Sequence, residues 1–184
     1  MIGFLIVACE IGFWVFVGAG LFFRYALNKR KAGAWLLACT PVVDLILLAA
    51  AVIDLRSGAE PSWTHNLAAV YVGVSVAFGH RMIRWADARF AHRFMGGEAP
   101  RKLYGKEHAA HERKGWLLHL AAWAIGGILL LVMSWLAGEK DLNAESPFVS
   151  WILGWAVVLG IDFLISFSYT LWPREPKGET SARG

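Results

Sequence analysis

Three carboxylates stand inside long apolar stretches of this chain: Glu10, Asp44 and Asp162. No Lys or Arg shares those stretches. Counted along a helix, each acid falls near the middle of its stretch. A charged side chain at the bilayer centre costs on the order of 2.5–3.5 kcal/mol on insertion scales, so such groups face the protein interior and mark ion or proton pathways. Each acid has polar neighbours at helical spacing. Thr40 precedes Asp44 by one turn, Ser166 follows Asp162 by one turn, and Tyr169 lies on the same side as Asp162. The chemistry this allows is exchange of a proton or small cation at mid-membrane, with Glu10, Asp44, Asp162, Thr40, Ser166 and Tyr169 as site candidates. The plainer alternative is that the acids stay protonated and hydrogen-bond one helix to another.

The histidines make a second constellation. His108, His111 and His119 share one helical face by spacing, since eleven residues are close to three turns. His80 falls at a depth similar to His119. His108 and His111, with Glu107 or Glu112, offer a ligand set for a metal. His80 and His119 could ligate a haem between helices. At a basic interface, histidine more commonly contacts lipid headgroups or backbone. The C-x-x-C-H haem attachment is absent, and the sequence names no cofactor. Cys9 and Cys39 both lie in apolar stretches and read as small buried residues.

The elements that position these groups follow from composition. Hydrophobic residues make up 57% of the chain and charged residues 17%, whereas a soluble domain has about a quarter charged. Spans of roughly 20 apolar residues cross a bilayer. Five such spans fit, over about 2–23, 34–53, 63–80, 116–137 and 148–172, with Pro41 interrupting the second. The expected fold is an all-α membrane protein, a single bundle of five transmembrane helices over residues 1–173, followed by a polar tail at 174–184.

Charge sets the orientation. Nine of the eighteen basic residues fall between Arg81 and Lys114. With the N-terminus outside and the C-terminus cytoplasmic, sixteen bases face inward and two outward, as the positive-inside rule demands. The apolar stripe Ile83, Ala86, Phe90, Phe94 predicts that the third helix continues past the membrane until Gly96-Gly97 and Pro100 end it. A second helix is expected to start near Lys106 and lead into the fourth span. This helical basic segment offers Arg81, Arg84, Arg89 and Arg93 to anionic lipid or to a protein partner. Beside apolar spans, these bases do not read as a nucleic-acid surface. The expected location is a bacterial cytoplasmic membrane, and a homo-oligomer would supply the symmetry that five spans lack.

No G-x-S-x-G, P-loop or G-x-G-x-x-G occurs, and the sequence specifies no reaction. The segments GHRMIRWADARFAHRF (Gly79–Phe94), YGKEHAAHER (Tyr104–Arg113) and IDFLISFSYTLWP (Ile161–Pro173), with CEIGFWVF near the start, resemble the YmcC-like small bacterial integral membrane proteins. The resemblance extends over most of the chain. It implies an inner-membrane location and supplies no mechanism. Two functional expectations stand: transport of a small cation or proton through the carboxylates, and a membrane scaffold or sensor acting through the basic segment.

Overall fold

Pro41 divides what hydropathy reads as one span. Proline lacks an N–H and its ring clashes with the preceding turn, so a helix accepts it readily only in its first turn. In the computed structural model, α2 (Arg30–Ala38) stops at Cys39, and α3 (Thr40–Arg56) begins with Pro41 in its first turn. Cys39 keeps near-helical dihedrals, φ −75° and ψ −19°. The chain direction therefore carries through, and Arg30–Arg56 together is a 27-residue stretch long and apolar enough to cross a membrane. The structure describes residues 2–94, 96–99, 101–139 and 143–175, without the side chains of residues 2, 3, 5, 6, 9, 10 and 94. Most of the tail at 174–184, and the side chains of Cys9 and Glu10, lie outside the described residues.

The other helices are α1 (Ile2–Tyr25), α4 (Trp63–Phe94), α5 (Gly105–Leu136) and α6 (Pro147–Leu171). No strand occurs among the described residues. Two further stretches, Gly105–Leu136 and Pro147–Leu171, have the length and apolarity of a membrane span, and Ile11–Tyr25 is a shorter apolar helix. Five helical units thus match the five expected, with α2 and α3 forming one of them.

Both long helices of the basic segment form as expected. α4 runs past His80 to Phe94. Beyond it, Gly96 sits at φ +66°, a conformation that glycine adopts without steric cost, and the Gly97 amide closes back onto the Ala91 carbonyl. α5 is continuous from Gly105 through the fourth span.

α1 packs on α2 and α3, α3 on α4, α4 on α5, and α5 on α6. α4 lies between α3 and α5. Its first half buries His65, Asn66, Ala68, Ala69, Val72 and Gly73. Gly73 meets α5 with no room to spare, since a Cβ there would lie 2.6 Å from the Ala122 carbonyl oxygen. Small residues at such crossings let backbones approach closely where lipid removes the hydrophobic drive for association.

The core gathers at one end of the bundle. Leu47, Ala51, Leu55, Ala68, Ala69, Leu130, Met133 and Phe148 form it, all distant in sequence from the basic segment. The outward faces are apolar too: Trp14, Ile53, Val76, Ile128, Val157 and Leu164 are exposed. Such a surface suits hydrocarbon as its solvent. The Asp162–His119 and Arg24–Asp87 pairs lie toward the basic end, away from this core.

Candidate functional site

Asp162 of α6 and His119 of α5 face each other across the helix seam, with Asp162 Oδ2 2.9 Å from His119 Nδ1. The opposite side of the imidazole is also occupied. The Trp155 indole N–H donates to His119 Nε2 at 3.2 Å. An indole N–H can only donate, so Nε2 is the accepting nitrogen. The ring proton is thereby assigned to Nδ1, which donates to the Asp162 carboxylate. Local sequence explains the placement. Gly126, two turns along α5 from His119, leaves space for the Trp155 ring, which a Cβ at that position would meet at 2.6 Å. Ser166 Oγ lies 3.5 Å from Asp162 Oδ1, one turn along α6.

This pair borders a cavity of about 260 Å³ lined by Phe78, Arg81, Glu112, Gly115, Trp116, His119, Asp162 and Ser166. Three helices contribute to it. Arg81 Nη2 donates to His111 Nε2 at 2.6 Å, and Glu112 Oε1 lies 3.8 Å from His108 Nδ1. Trp116 is fixed by its N–H to the Leu159 carbonyl at 3.1 Å and by edge contacts to Phe163 and Phe167. Phe78 and Trp116 give the cavity aromatic walls, and its polar lining carries both signs of charge.

The other sequence candidates fall elsewhere. Asp44 is 3% exposed and accepts a hydrogen bond from Ser75 of α4 at 2.5 Å. It does not line the cavity, so Asp44 and Asp162 occupy separate helix interfaces. The Thr40 hydroxyl donates to the Leu37 carbonyl at 2.8 Å instead of turning to Asp44. Tyr169 packs edge-on against His108, with centroids 4.7 Å apart.

The histidines divide as well. His111 faces Arg81 on α4, while His108 and His119 face α6. His80 is exposed on α4 and does not line the cavity. Among the described residues no three His, Cys, Asp or Glu side chains come together as a metal site. Both nitrogens of His119 are engaged, which does not suit a free haem ligand.

Two clusters escaped the sequence reading. At the basic end, Arg24 grips Asp87 with two parallel hydrogen bonds, Nε to Oδ1 at 2.6 Å and Nη2 to Oδ2 at 2.5 Å. The Tyr25 hydroxyl donates to the same Oδ1, and the Tyr25 ring stacks on Phe90. Burial pushes the Asp87 pKa up, but the hydrogen bonds from Arg24 and Tyr25 and the charge of Arg24 outweigh it, holding the carboxyl below its ordinary value. The signal available in the sequence was that Asp87 is the lone acid between Arg81 and Arg93.

At the opposite end, His65 is buried. Its Nδ1 accepts from the Ser62 amide at 3.1 Å and pairs with Ser62 Oγ at 2.6 Å, leaving Nε2 to donate to Asp54 at 3.2 Å. This is one half of a capping box, the side chain three residues on reaching back to the Ser62 amide, with histidine in place of Glu. The remaining basic candidates stay at the surface: Arg84, Arg89 and Arg93 are exposed, and Arg89 lies 5.5 Å over the Trp85 ring.

A protein of Bacillus subtilis (strain 168), described as "Uncharacterized membrane protein YmcC", is 44% identical to this chain over 184 residues, covering 99% of this chain and 98% of its own length. The chain belongs to the YmcC-like family. No family model and no solved structure matches it. The YmcC-like relationship agrees with three helical stretches able to cross a bilayer, and the protein is a membrane protein.

Proposed function

We propose that this YmcC-like protein moves a proton, or a small cation exchanged for one, across the membrane through the Asp162–His119 pair. The observation that supports it is a linked carboxylate and imidazole bordering a polar cavity that α4, α5 and α6 line together. Chains of Asp, Glu and His within membranes serve as proton relays. The relay works as follows. Trp155 leaves Nε2, which takes up a proton. Nδ1 passes its own proton to Asp162 Oδ2, and the carboxyl releases it into the cavity beside Glu112. Rotation of the ring then turns Nε2–H toward Asp162 and the bare Nδ1 toward the entry side, ready for the next proton. Trp155 acts as the gate, because its N–H must leave before Nε2 can accept. Asp44 serves as a helix-to-helix hydrogen bond to Ser75.

The proposed setting is a bacterial inner membrane crossed five times, N-terminus outside and C-terminus inside. Sixteen inward bases against two outward ones support it. Proton uptake into vesicles holding the purified protein tests the function. Wild-type flux that disappears in Asp162→Asn supports it, and equal flux in both rejects it.

A second reading rests on the exposed guanidinium groups of Arg84, Arg89 and Arg93 beside exposed Trp85 and Met82. There α4 presents a basic aromatic face to anionic headgroups or to a partner, and the protein is a scaffold or sensor. Reversing Arg84 and Arg89 to Glu would then abolish any stabilisation by phosphatidylglycerol. A homo-oligomer is compatible with either reading.

A further inference from the structure

The cavity that borders Asp162 carries charges that the protein leaves unmatched. Arg81 reaches a histidine and no carboxylate among the described residues. Glu112 and Asp162 reach histidines and, among the described residues, no Lys or Arg. One cation and two anions thus line a single space of about 260 Å³ without pairing each other. All three are half-buried around one space, so an occupant that brings both signs would pair all three. Trp116 and Phe78 line the same space, and aromatic rings attract an ammonium group. The volume lies below the roughly 300–1,000 Å³ of pockets that take drug-sized ligands, which selects a small group.

We infer that this cavity binds an aminoalkyl phosphate, with the phosphate on Arg81 and the ammonium between Glu112 and Asp162 beside Trp116. This goes beyond the proton relay and does not require it. The shared chemistry comes from two sources, a free phosphoethanolamine-type metabolite or the headgroup of phosphatidylethanolamine.

Intrinsic tryptophan fluorescence reads the site through Trp116. Purified protein in phosphatidylcholine nanodiscs is titrated with phosphoethanolamine, and separately with inorganic phosphate and with ethanolamine. Nanodiscs of rising phosphatidylethanolamine content form the lipid arm. The inference expects a saturable change in one arm or the other, and which arm responds identifies the source. It also expects Arg81→Gln and Glu112→Gln each to weaken the response at least tenfold, and Arg101→Gln, on the exposed surface, to leave it intact. If Arg81→Gln fails to fold, Glu112→Gln carries the test. No saturable change in either arm overturns the inference. So does a change that survives both cavity variants, or inorganic phosphate binding as tightly as phosphoethanolamine. Binding without proton flux retires the relay alone, and flux without binding retires this inference alone.

Discussion

Asp162 and His119, separated by 43 positions in the sequence, meet at 2.9 Å, while Trp155 holds the other nitrogen of the same imidazole at 3.2 Å. The pair is locked in one tautomer by a donor that cannot accept. Under the proposed relay, this carboxylate receives a proton only after the indole moves.

The Arg24–Asp87 pair makes stability at the basic end depend on pH. The Asp87 pKa is lowered on folding, so its contribution is present above the unfolded value of about 3.9. That contribution is lost as pH falls below this value and through the folded one. Asp87→Asn should cost on the order of 1–3 kcal/mol at pH 7, as hydrogen bonds to a charged group do. Thermal unfolding of both proteins between pH 7 and pH 3 should show the gap closing below about pH 4. A gap independent of pH would mean that Asp87 acts without its charge.

Ser75 is the partner that keeps Asp44 tolerable in the α3–α4 interface. Ser75→Ala leaves a buried acid without its donor and should destabilise by about 1–3 kcal/mol. Removing both polar groups, with Asp44→Leu added, should recover part of that loss, because two apolar groups of matched shape leave nothing unsatisfied. Chemical denaturation in detergent measures both. A double variant weaker than Ser75→Ala by itself would show that Asp44 has a further role.

Gly73 and Gly154 should respond oppositely to alanine. At Gly73 the new Cβ would press on the Ala122 carbonyl at 2.6 Å, and overpacking of this kind costs about 1–3 kcal/mol. At Gly154 nothing lies within 4 Å, so alanine should be neutral or favourable by about 0.5–1 kcal/mol through backbone entropy. Melting temperatures of the two variants decide it, and equal losses would contradict the α4–α5 crossing.

The helices themselves were largely legible in the sequence. Apolar stretches, the stripe Ile83–Ala86–Phe90 and the Gly96-Gly97 stop are local signals, and α4, α5 and α6 follow them. Pro41 was visible as an interruption, but its role in starting α3 depended on the local dihedrals of Cys39. The site was legible in depth and not in azimuth. Hydropathy locates Asp44 and Asp162 along their helices, yet the partner of each is chosen by rotation about the helix axis. That rotation comes from tertiary packing, notably Gly126 admitting Trp155. Hence Thr40 was paired with Asp44 from spacing alone, whereas the structure supplies Ser75. Spacing likewise gives Asp87 no partner, because Arg24 lies on another helix.

Proton flux through Asp162 is the central claim, and one measurement tests it most directly. Wild-type protein and Asp162→Asn are reconstituted at equal density into vesicles with a potassium-diffusion potential, and internal pH is followed with a trapped dye. Asparagine keeps the shape and an acceptor for His119 Nδ1 but cannot take a proton. The account predicts acidification by the wild type and at least a tenfold slower rate for Asp162→Asn, with helicity by circular dichroism unchanged. Equal rates in the two preparations, or no wild-type flux above empty vesicles with either protons or alkali cations, would contradict it.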